Sequence, residues 1–438
     1  MSANAAGQRQ LPTIGIYLDT STVVNDPAYV DALQRDAGLN LVILMGGYTL
    51  SPAATALNPL REEGHGPGFS WDADGRPLEQ AIGILHERGI KAWLLFGCWQ
   101  IGGEKYPNLV ARDMWGKPLT DYPPFPYCSE QRSLTFCPSN EEINAFYAAA
   151  YADAVRQYPL DGIDITHARY TSPAFWPAVF SCACERCQAQ AESLGYDFER
   201  MRADSLATVE ALQRLDATAL KRFVEPAVGL GDFLQSVAGR RGLVEWLDWR
   251  AEMIGRNIKR FHAAVHEAAA GRDVTFGVDN FPPSVALFAG HRYANFMSAC
   301  DWTTPLLSHP AYFVLATIQS WAHTLRSWVQ GLSERQALEV VYQVLGFEGL
   351  PLPREIDALG TGFPESEPGV PGLEELVRHD LVKSRLYNTG QVPSYPVLMG
   401  GLWPRETVQR LVADALEMGH EGVIYQLSDA ITSYRPRA

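Results

Sequence analysis

DGIDITHARY, residues 161–170, is the stretch that best indicates the fold of this 438-residue chain. It is rich in β-branched residues and leads directly into polar side chains, which is typical of a buried parallel strand with functional groups at its carboxyl end. A helical stretch, residues 141–157, precedes it, and Asn140 can cap that helix. Helix and strand in this order predict part of a parallel sheet.

The same pattern extends outward in both directions along the chain. Seven further β-rich runs are bounded by turn residues, at 14–19, 41–45, 92–96, 274–278, 301–309, 395–399 and 423–427. Helical stretches lie between them, at 78–88, along an apolar stripe from 247 to 265, at 374–387 and at 406–418. Eight strands alternating with helices predict an α/β fold, a (β/α)₈ TIM barrel.

The length of the chain fits a single elaborated barrel as well as two ordinary domains, and the strand pattern favours the barrel. Long insertions are predicted after strands three, four and six, at residues 100–138, 171–241 and 310–371. All three lie on the strand-to-helix side, where barrels of this kind carry their active sites. We expect residues 1–10 to be disordered, residues 11–438 to form one catalytic domain, and a short disordered stretch to occur near residues 360–372.

Composition and charge exclude several classes of partner. Hydrophobic residues make up 47% of the chain and charged residues 20%, which is globular composition. A net charge of −14 disfavours nucleic acid and anionic membrane surfaces. The sequence has neither a secretory signal pattern nor an apolar run of about 20 residues. We therefore expect a cytoplasmic protein, and an acidic barrel of this kind can form a homo-oligomer.

Four cysteines suggest a metal site. Cys182, Cys184 and Cys187 lie within six residues, and Cys137, in FCPSN, lies in the insertion after the preceding strand. Structural Zn²⁺ takes four ligands and binds thiolates well. The spacing predicts a structural zinc ion in a reducing compartment, with four free thiols as the alternative.

These motifs resemble a known family. CPSN followed about 45 residues later by C-x-C-x-x-C is similar to the zinc site of glycoside hydrolase family 42 β-galactosidases and of related uncharacterised glycosidase-like barrels. DGIDITHARY, FSCACERCQAQAESLGYD, WLDWRAEMIGRNI and CDWTTPLLSH extend the resemblance from strand three to strand six. It implies a barrel that acts on carbohydrate and binds zinc in the loops after strands three and four.

The catalytic residues of these families do not carry over. Family 42 enzymes use Asn-Glu after strand four and Glu after strand seven, whereas strand seven here leads into Met399-Gly400-Gly401. DGID also resembles chitinase-like barrels of family 18, which continue D-x-E. Those positions are Thr166 and Ala168 here, so the catalytic groups have to be sought among other residues of this chain.

Carboxyl groups at strand ends are the candidates. Glycoside hydrolysis normally uses two, ~5–5.5 Å apart for retention and ~6.5–9.5 Å apart for inversion. Strand alternation places Asp164 inside the barrel. The second carboxyl group is Asp279, Glu348 or Asp429, while Glu104 is a weaker candidate and Asp279 could equally cap the loop that follows it.

Substrate contacts are expected at the same end of the barrel. The polar candidates are Asp19, His167, Arg169, Asn280, His309 and Gln426, and the aromatic candidates for stacking on sugar rings are Tyr48, Trp99, Trp302, Trp403 and Tyr425. Arg169 hints at an anionic sugar. The alternatives are an aromatic plug that closes the barrel and, for Asp19, a helix cap.

Three hypotheses for function follow. The first is an O-glycoside hydrolase that acts on a small glycan or glycoside. The second is a barrel that binds carbohydrate without hydrolysing it, since the family glutamates are missing. The third is a metal-dependent lyase or isomerase on a sugar acid, in which His167 and His309 share a metal with Asp164 or Asp279. The sequence lacks G-x-G-x-x-G, P-loop, G-x-S-x-G and H-E-x-x-H motifs.

Overall fold

A computed structural model describes residues 11–59, 76–99, 106–128, 130–131, 136–218, 220, 235, 239–362 and 364–426. Eight parallel strands run in the order β6-β5-β4-β3-β2-β1-β8-β7. The strands are β1 Thr13–Asp19, β2 Leu41–Met45, β3 Lys91–Gly97, β4 Gly162–Thr166, β5 Thr275–Asn280, β6 Trp302–Pro305, β7 Val397–Met399 and β8 Gly422–Gln426. The predicted (β/α)₈ fold is confirmed.

The ring of strands is completed between β6 and β7. Isolated parallel bridges pair Thr303 with Ser394 and Leu306 with Val397, instead of a continuous ladder. The Tyr395 amide also donates to the Thr303 carbonyl at 2.9 Å. The carboxyl ends of all eight strands therefore meet at one mouth.

Helices cover the outside of the strands. The described helices are α1 Thr20–Asn25, α2 Pro27–Ala37, α3 Pro52–Ala56, α4 Arg76–His86, α5 Glu141–Gln157, α6 Glu185–Ser193, α7 Phe198–Gln213, α8 Arg241–Ala269, α9 Pro283–Ala286, α10 Tyr293–Met297, α11 Ala316–Trp328, α12 Glu334–Leu345, α13 Leu373–Asn388 and α14 Arg405–Glu417. The Asn140 side chain caps α5 as predicted, accepting from two backbone amides. None of the described helices is long and apolar enough to cross a membrane.

The amino-terminal end of the barrel carries a repeated backbone clamp. Immediately before each even-numbered strand, a polar side chain accepts from the amide of a residue near the start of the preceding odd-numbered strand, at 2.7–2.9 Å. The amide of that polar residue donates back to the same partner's carbonyl. The pairs are Asn40–Ile14, Asp161–Ala92, Asp301–Phe276 and Glu421–Ser394. Asp301 is therefore a structural residue at this end of the barrel.

Aromatic rings fill the lower barrel. Trp93 and Trp302 stack with centroids 4.0 Å apart and planes 6° apart. A Cβ at Gly162 would lie 2.5 Å from Trp93, and one at Gly277 would lie 2.1 Å from Trp302. The two glycines leave the space that the indoles occupy. Trp302, predicted as a stacking platform for sugar, is instead part of this floor.

The insertion after strand six is more ordered than expected. It carries α11, α12 and the helical turn Pro364–Gly369. Glu367, in that turn, is fully buried and accepts from the Ala311 amide at 2.9 Å. Disorder was predicted near residues 360–372, but Pro364–Gly369 form this helical turn, because the buried Glu367 side chain ties it to the barrel mouth. Residues 1–10, also predicted to be disordered, lie outside the described residues.

Candidate active site

Two of the predicted catalytic carboxyl groups meet inside the barrel. Asp164 on β4 and Asp279 on β5 are almost completely buried. The Tyr17 hydroxyl on β1 lies 3.2 Å from Asp164 Oδ2 and 2.8 Å from Asp279 Oδ1. Because both oxygens contact one hydroxyl, they lie within about 6 Å of each other. Thr304 on β6 donates to the same Asp279 oxygen at 3.0 Å.

Burial controls the protonation of this pair. Desolvation, followed by repulsion from Asp279, raises the pKa of Asp164 well above its ordinary value. Desolvation also raises the pKa of Asp279, to about 6, although hydrogen bonds from Thr166, Tyr17 and Thr304 oppose it. The larger rise is at Asp164, so when the pair holds one proton, Asp164 is the partner favoured to carry it.

The hydrogen bonds are consistent with that assignment. One hydroxyl donates only one proton at a time, and its shorter contact is with Asp279. A protonated Asp164 can donate to the Tyr17 oxygen while Tyr17 donates to Asp279. Asp164 Oδ1 is buried and has no hydrogen-bond partner among the described residues, which is less costly for a neutral carboxyl group.

A second charged group follows β4. Arg169 donates to Glu130 Oε1 at 2.5 Å, and His167 Nε2 lies 3.7 Å from the same oxygen. The Arg169 guanidinium lies over the Phe281 ring, 4.3 Å from its centroid. Arg169 is 2% exposed. Its charge is thus already balanced by Glu130, so the sequence-based hint of an anionic sugar loses its main support.

The side chains around Glu130 have distinct charge states. Burial alone would raise the pKa of Glu130, but Arg169 and His167 lower it overall. Burial, with repulsion from Arg169, lowers the pKa of His167 to about 4, and burial lowers that of His309 to about 4. The group therefore holds an anionic carboxylate and two neutral imidazoles at neutral pH. His167 has a left-handed backbone with φ 62°, which is uncommon for a non-glycine residue.

Two more predicted substrate residues lie in a network with neighbouring loops. Gln426 Oε1 accepts from Ser308 Oγ at 2.9 Å, and that hydroxyl also contacts His309 Nδ1 at 2.9 Å. Trp403 is buried and donates from its indole to Glu367 at 2.7 Å. Burial raises the pKa of Glu367 to about 7.

Two predicted aromatic contacts serve packing instead. Trp99 is fully buried, and its indole donates to Asn144 of α5 at 2.8 Å. Tyr48 is fully buried edge-on against Phe96, with centroids 4.9 Å apart. Neither ring has an exposed face on which a sugar could stack, so the prediction of sugar stacking for this pair needs correction.

The remaining candidates are placed as follows. Asp19 is exposed at the end of β1 and makes no side-chain capping bond to α1, so its substrate role stays a prediction. Asn280 is fully buried, and neither polar atom of its side chain has a hydrogen-bond partner among the described residues. Glu348 is exposed on the turn after α12, unlike the buried carboxyl pair. Glu104 and Asp429 lie outside the described residues.

The four cysteines form one cluster. The sulfurs of Cys137, Cys182, Cys184 and Cys187 all lie within 4.8 Å of one another. Cys137 Sγ is 3.7 Å from Cys184 Sγ and 3.4 Å from Cys187 Sγ. Four thiolates at ~2.3 Å from a tetrahedral ion would be about 3.8 Å apart. The cluster therefore fits a metal ion and is too open for a disulfide.

A metal at the barrel mouth finds less support. Among the described residues, two groups bring three or more potential ligand atoms within 4.8 Å: the cysteine cluster and His262, His266 and Asp301. Neither group contains His167, His309, Asp164 or Asp279. The ligand set needed by the metal-dependent hypothesis is thus not preassembled in the described part of the chain.

Sequence comparison identifies no relative: no protein-family model and no curated protein matches the chain. Solved structures do resemble it. The glycoside hydrolase domain of PgaB (BpsB) from Bordetella bronchiseptica matches with a TM-score of 0.53 and 10% identity, covering 98% of this chain and 96% of that one. This likeness is to the barrel fold.

Two further similar structures are also glycosidases by name. A β-galactosidase from Marinomonas ef1 has a TM-score of 0.46 and 13% identity over 94% of this chain and 53% of its own. The α-galactosidase of Thermus thermophilus has a TM-score of 0.43 and 12% identity over 98% and 66%. This chain thus spans about half the length of the β-galactosidase. The resemblance to family 42 in particular stays a prediction.

Four residues of the site were not singled out from the sequence. Tyr17 and Thr304 face inward from strands that were correctly predicted, so strand alternation could have identified them. Glu130 and Glu367 lie in long insertions, where no local pattern shows which side chains turn toward the barrel. Their identification required the tertiary structure.

Proposed function

We propose that this protein is a glycoside hydrolase that uses Asp164 and Asp279 as its two carboxyl groups. The observation that carries the proposal is the sharing of the Tyr17 hydroxyl by both carboxyl groups above a closed aromatic floor. A separation within about 6 Å favours the retaining arrangement over the inverting one. Titratable pairs whose pKa values are pushed apart are typical of acid–base sites.

The protonation states suggest a role for each group. Asp164 donates its proton to the glycosidic oxygen as the bond from that oxygen to the anomeric carbon breaks. Asp279 attacks the anomeric carbon and forms a glycosyl ester. Water then cleaves the ester and returns a proton to Asp164. In this proposal His167, His309 and Gln426 bind sugar hydroxyl groups as neutral donors and acceptors.

The test is hydrolysis of a panel of nitrophenyl glycosides and small oligosaccharides. Asp164→Asn and Asp279→Asn should each lower the rate at least ~10³-fold, because each removes one chemical role. Glu339→Gln, on the exposed face of α12, is a matched control that should keep full activity. Azide should rescue Asp279→Gly and give a glycosyl azide. Full activity of either asparagine variant would refute the assignment.

A second candidate function is carbohydrate binding without hydrolysis. The burial of both carboxyl groups favours it, since Asp164 is 0% and Asp279 4% exposed and catalysis requires contact with substrate. Calorimetry with oligosaccharides distinguishes the two functions. A binder would show affinity for a glycan that it leaves intact after prolonged incubation, and Asp279→Asn would bind that glycan as the wild type does, because the buried carboxyl group does not contact it.

We propose in addition that the cysteine cluster holds structural Zn²⁺. Four thiolates complete a tetrahedron and leave no position for water, so the ion would brace the loops after β3 and β4. Elemental analysis should give one zinc per chain, and Cys184→Ser should lower that content and the unfolding temperature. An unchanged zinc content in Cys184→Ser would exclude this ligand set.

A further inference from the structure

The amino-terminal end of the barrel holds a cluster of ligand-type side chains that the proposed function does not use. His262 and His266 lie one turn apart on α8, with ring centroids 4.2 Å apart. Their Nε2 atoms lie 3.3 Å from Asp301 Oδ1 and 2.8 Å from Asp301 Oδ2, respectively. The cluster is at the opposite end of the strands from Asp164 and Asp279.

Comparison with the backbone clamp at Asp161 shows which side chain of the cluster the clamp at Asp301 does not need. Asp161 accepts from the Ala92 amide and from one imidazole, His86 Nε2, at 2.7 and 2.9 Å. Asp301 Oδ2 makes the same two kinds of contact: it accepts from the Phe276 amide and faces one imidazole, that of His266. The backbone clamp is therefore complete with one imidazole. His262, which faces the other oxygen of Asp301, is not needed for it.

The distances fit a small divalent ion. Ligands at ~2.0–2.1 Å from a tetrahedral ion would lie about 3.3 Å apart. The three ligand atoms lie within 4.8 Å of one another, and the contact between His262 and Asp301 is 3.3 Å. The contact between His266 and Asp301, 2.8 Å, is a hydrogen-bond distance that has to lengthen when an ion binds. Two imidazoles and one carboxylate suit zinc and similar late transition metals rather than magnesium or calcium.

We propose that His262, His266 and Asp301 form a second metal site that binds a divalent transition ion such as Zn²⁺. The site is partly exposed, with side-chain exposures of 29%, 40% and 31%, so an ion can enter from solvent. Three protein ligands leave one position for water. The ion joins α8 to Asp301, the residue just before β6, and its effect is on stability rather than on catalysis.

The experiment is a Zn²⁺ titration of the folded protein with its cysteine cluster already loaded, followed by calorimetry. We expect one further ion to bind per chain. His262→Ala and His266→Ala should each weaken this event at least ~10-fold, whereas His86→Ala should leave it unchanged. With free Zn²⁺ at about 100 times the dissociation constant, the unfolding equilibrium constant should fall ~100-fold.

Co²⁺ provides a readout that separates the two sites. Binding at the proposed site should add visible absorption without the near-ultraviolet thiolate-to-cobalt band that a cysteine site produces. His262→Gln serves as a milder variant if His262→Ala does not fold. The proposal is overturned if the loaded wild type binds no further ion, or if the folded His262 variant binds it as tightly as the wild type does.

Discussion

Replacing Tyr17 with phenylalanine tests the paired carboxyl groups most directly. The variant keeps the aromatic ring and removes the hydroxyl that contacts both Asp164 and Asp279. The Asp279 carboxylate then loses the hydrogen bond from Tyr17 and keeps the hydrogen bond from Thr304. Because the lost bond stabilises the carboxylate, its removal should raise the pKa of Asp279 further.

The size of the shift follows from the strength of that bond. A hydrogen bond to a charged group contributes about 1.5–3 kcal/mol, and one pKa unit corresponds to about 1.4 kcal/mol. The pKa of Asp279, about 6 in the wild type, should rise by about one to two units. An unfolded aspartate has a pKa of ~3.9. The stability that Asp279 contributes should therefore be lost as the pH rises from about 4 to 6 in the wild type, and from about 4 up to about 7–8 in the variant, so the difference between the two proteins isolates this residue.

Carbon-detected NMR of the aspartate carboxyl groups measures the titration without needing a substrate. Chemical denaturation across the same pH range gives the stability change independently. Tyr342→Phe is the control, because its hydroxyl bonds to the Pro353 carbonyl, remote from the pair. An Asp279 midpoint that is identical in Tyr17→Phe and the wild type would show that the hydroxyl does not hold the two carboxyl groups as described.

Three other perturbations have expected outcomes. His167 and His309 are partly buried and neutral, with pKa values of about 4, so the stability that they contribute should be lost as the pH falls from about 6.5 to 4, and His309→Gln should reduce that loss relative to the wild type in denaturation measured at each pH. Gly277→Ala forces a Cβ to within 2.1 Å of the floor indole and should cost at least about 1–3 kcal/mol in urea unfolding. Glu130→Gln leaves the buried Arg169 charge uncompensated and should cost about 3–5 kcal/mol by the same assay; an unchanged midpoint would contradict the buried pair.

The sequence predicted the strands well because parallel strands in a barrel are buried on both sides. β2 has the predicted bounds, and the others differ by a few residues at most. Asn140 was predictable as a cap because capping is local. β6 and β7 are shorter than predicted, and at the seam between them the chain pairs through isolated bridges instead of a continuous ladder.

The site was less predictable than the fold. Asp164 was singled out because alternation along a strand is local information, and Asp279 because it ends a predicted strand. Glu130 and Glu367 were missed because their burial depends on how long insertions fold back over the mouth. Trp99 was misassigned because a position next to a strand end does not reveal whether a side chain turns toward the mouth or toward the helices. In this case it turns toward α5.

The two ends of β4 suggest why the site lies where it does. Asp161, just before the strand, accepts from the Ala92 amide and from His86, so its carboxylate contributes to holding the barrel together. Asp164, three residues later, has one oxygen without a partner among the described residues and a pKa raised by burial and by Asp279. Two apolar side chains in place of Asp164 and Asp279 would avoid that electrostatic cost. The pair is therefore poorly explained by stability alone, and a buried pair with strongly shifted pKa values is the type of group that acid–base catalysis uses.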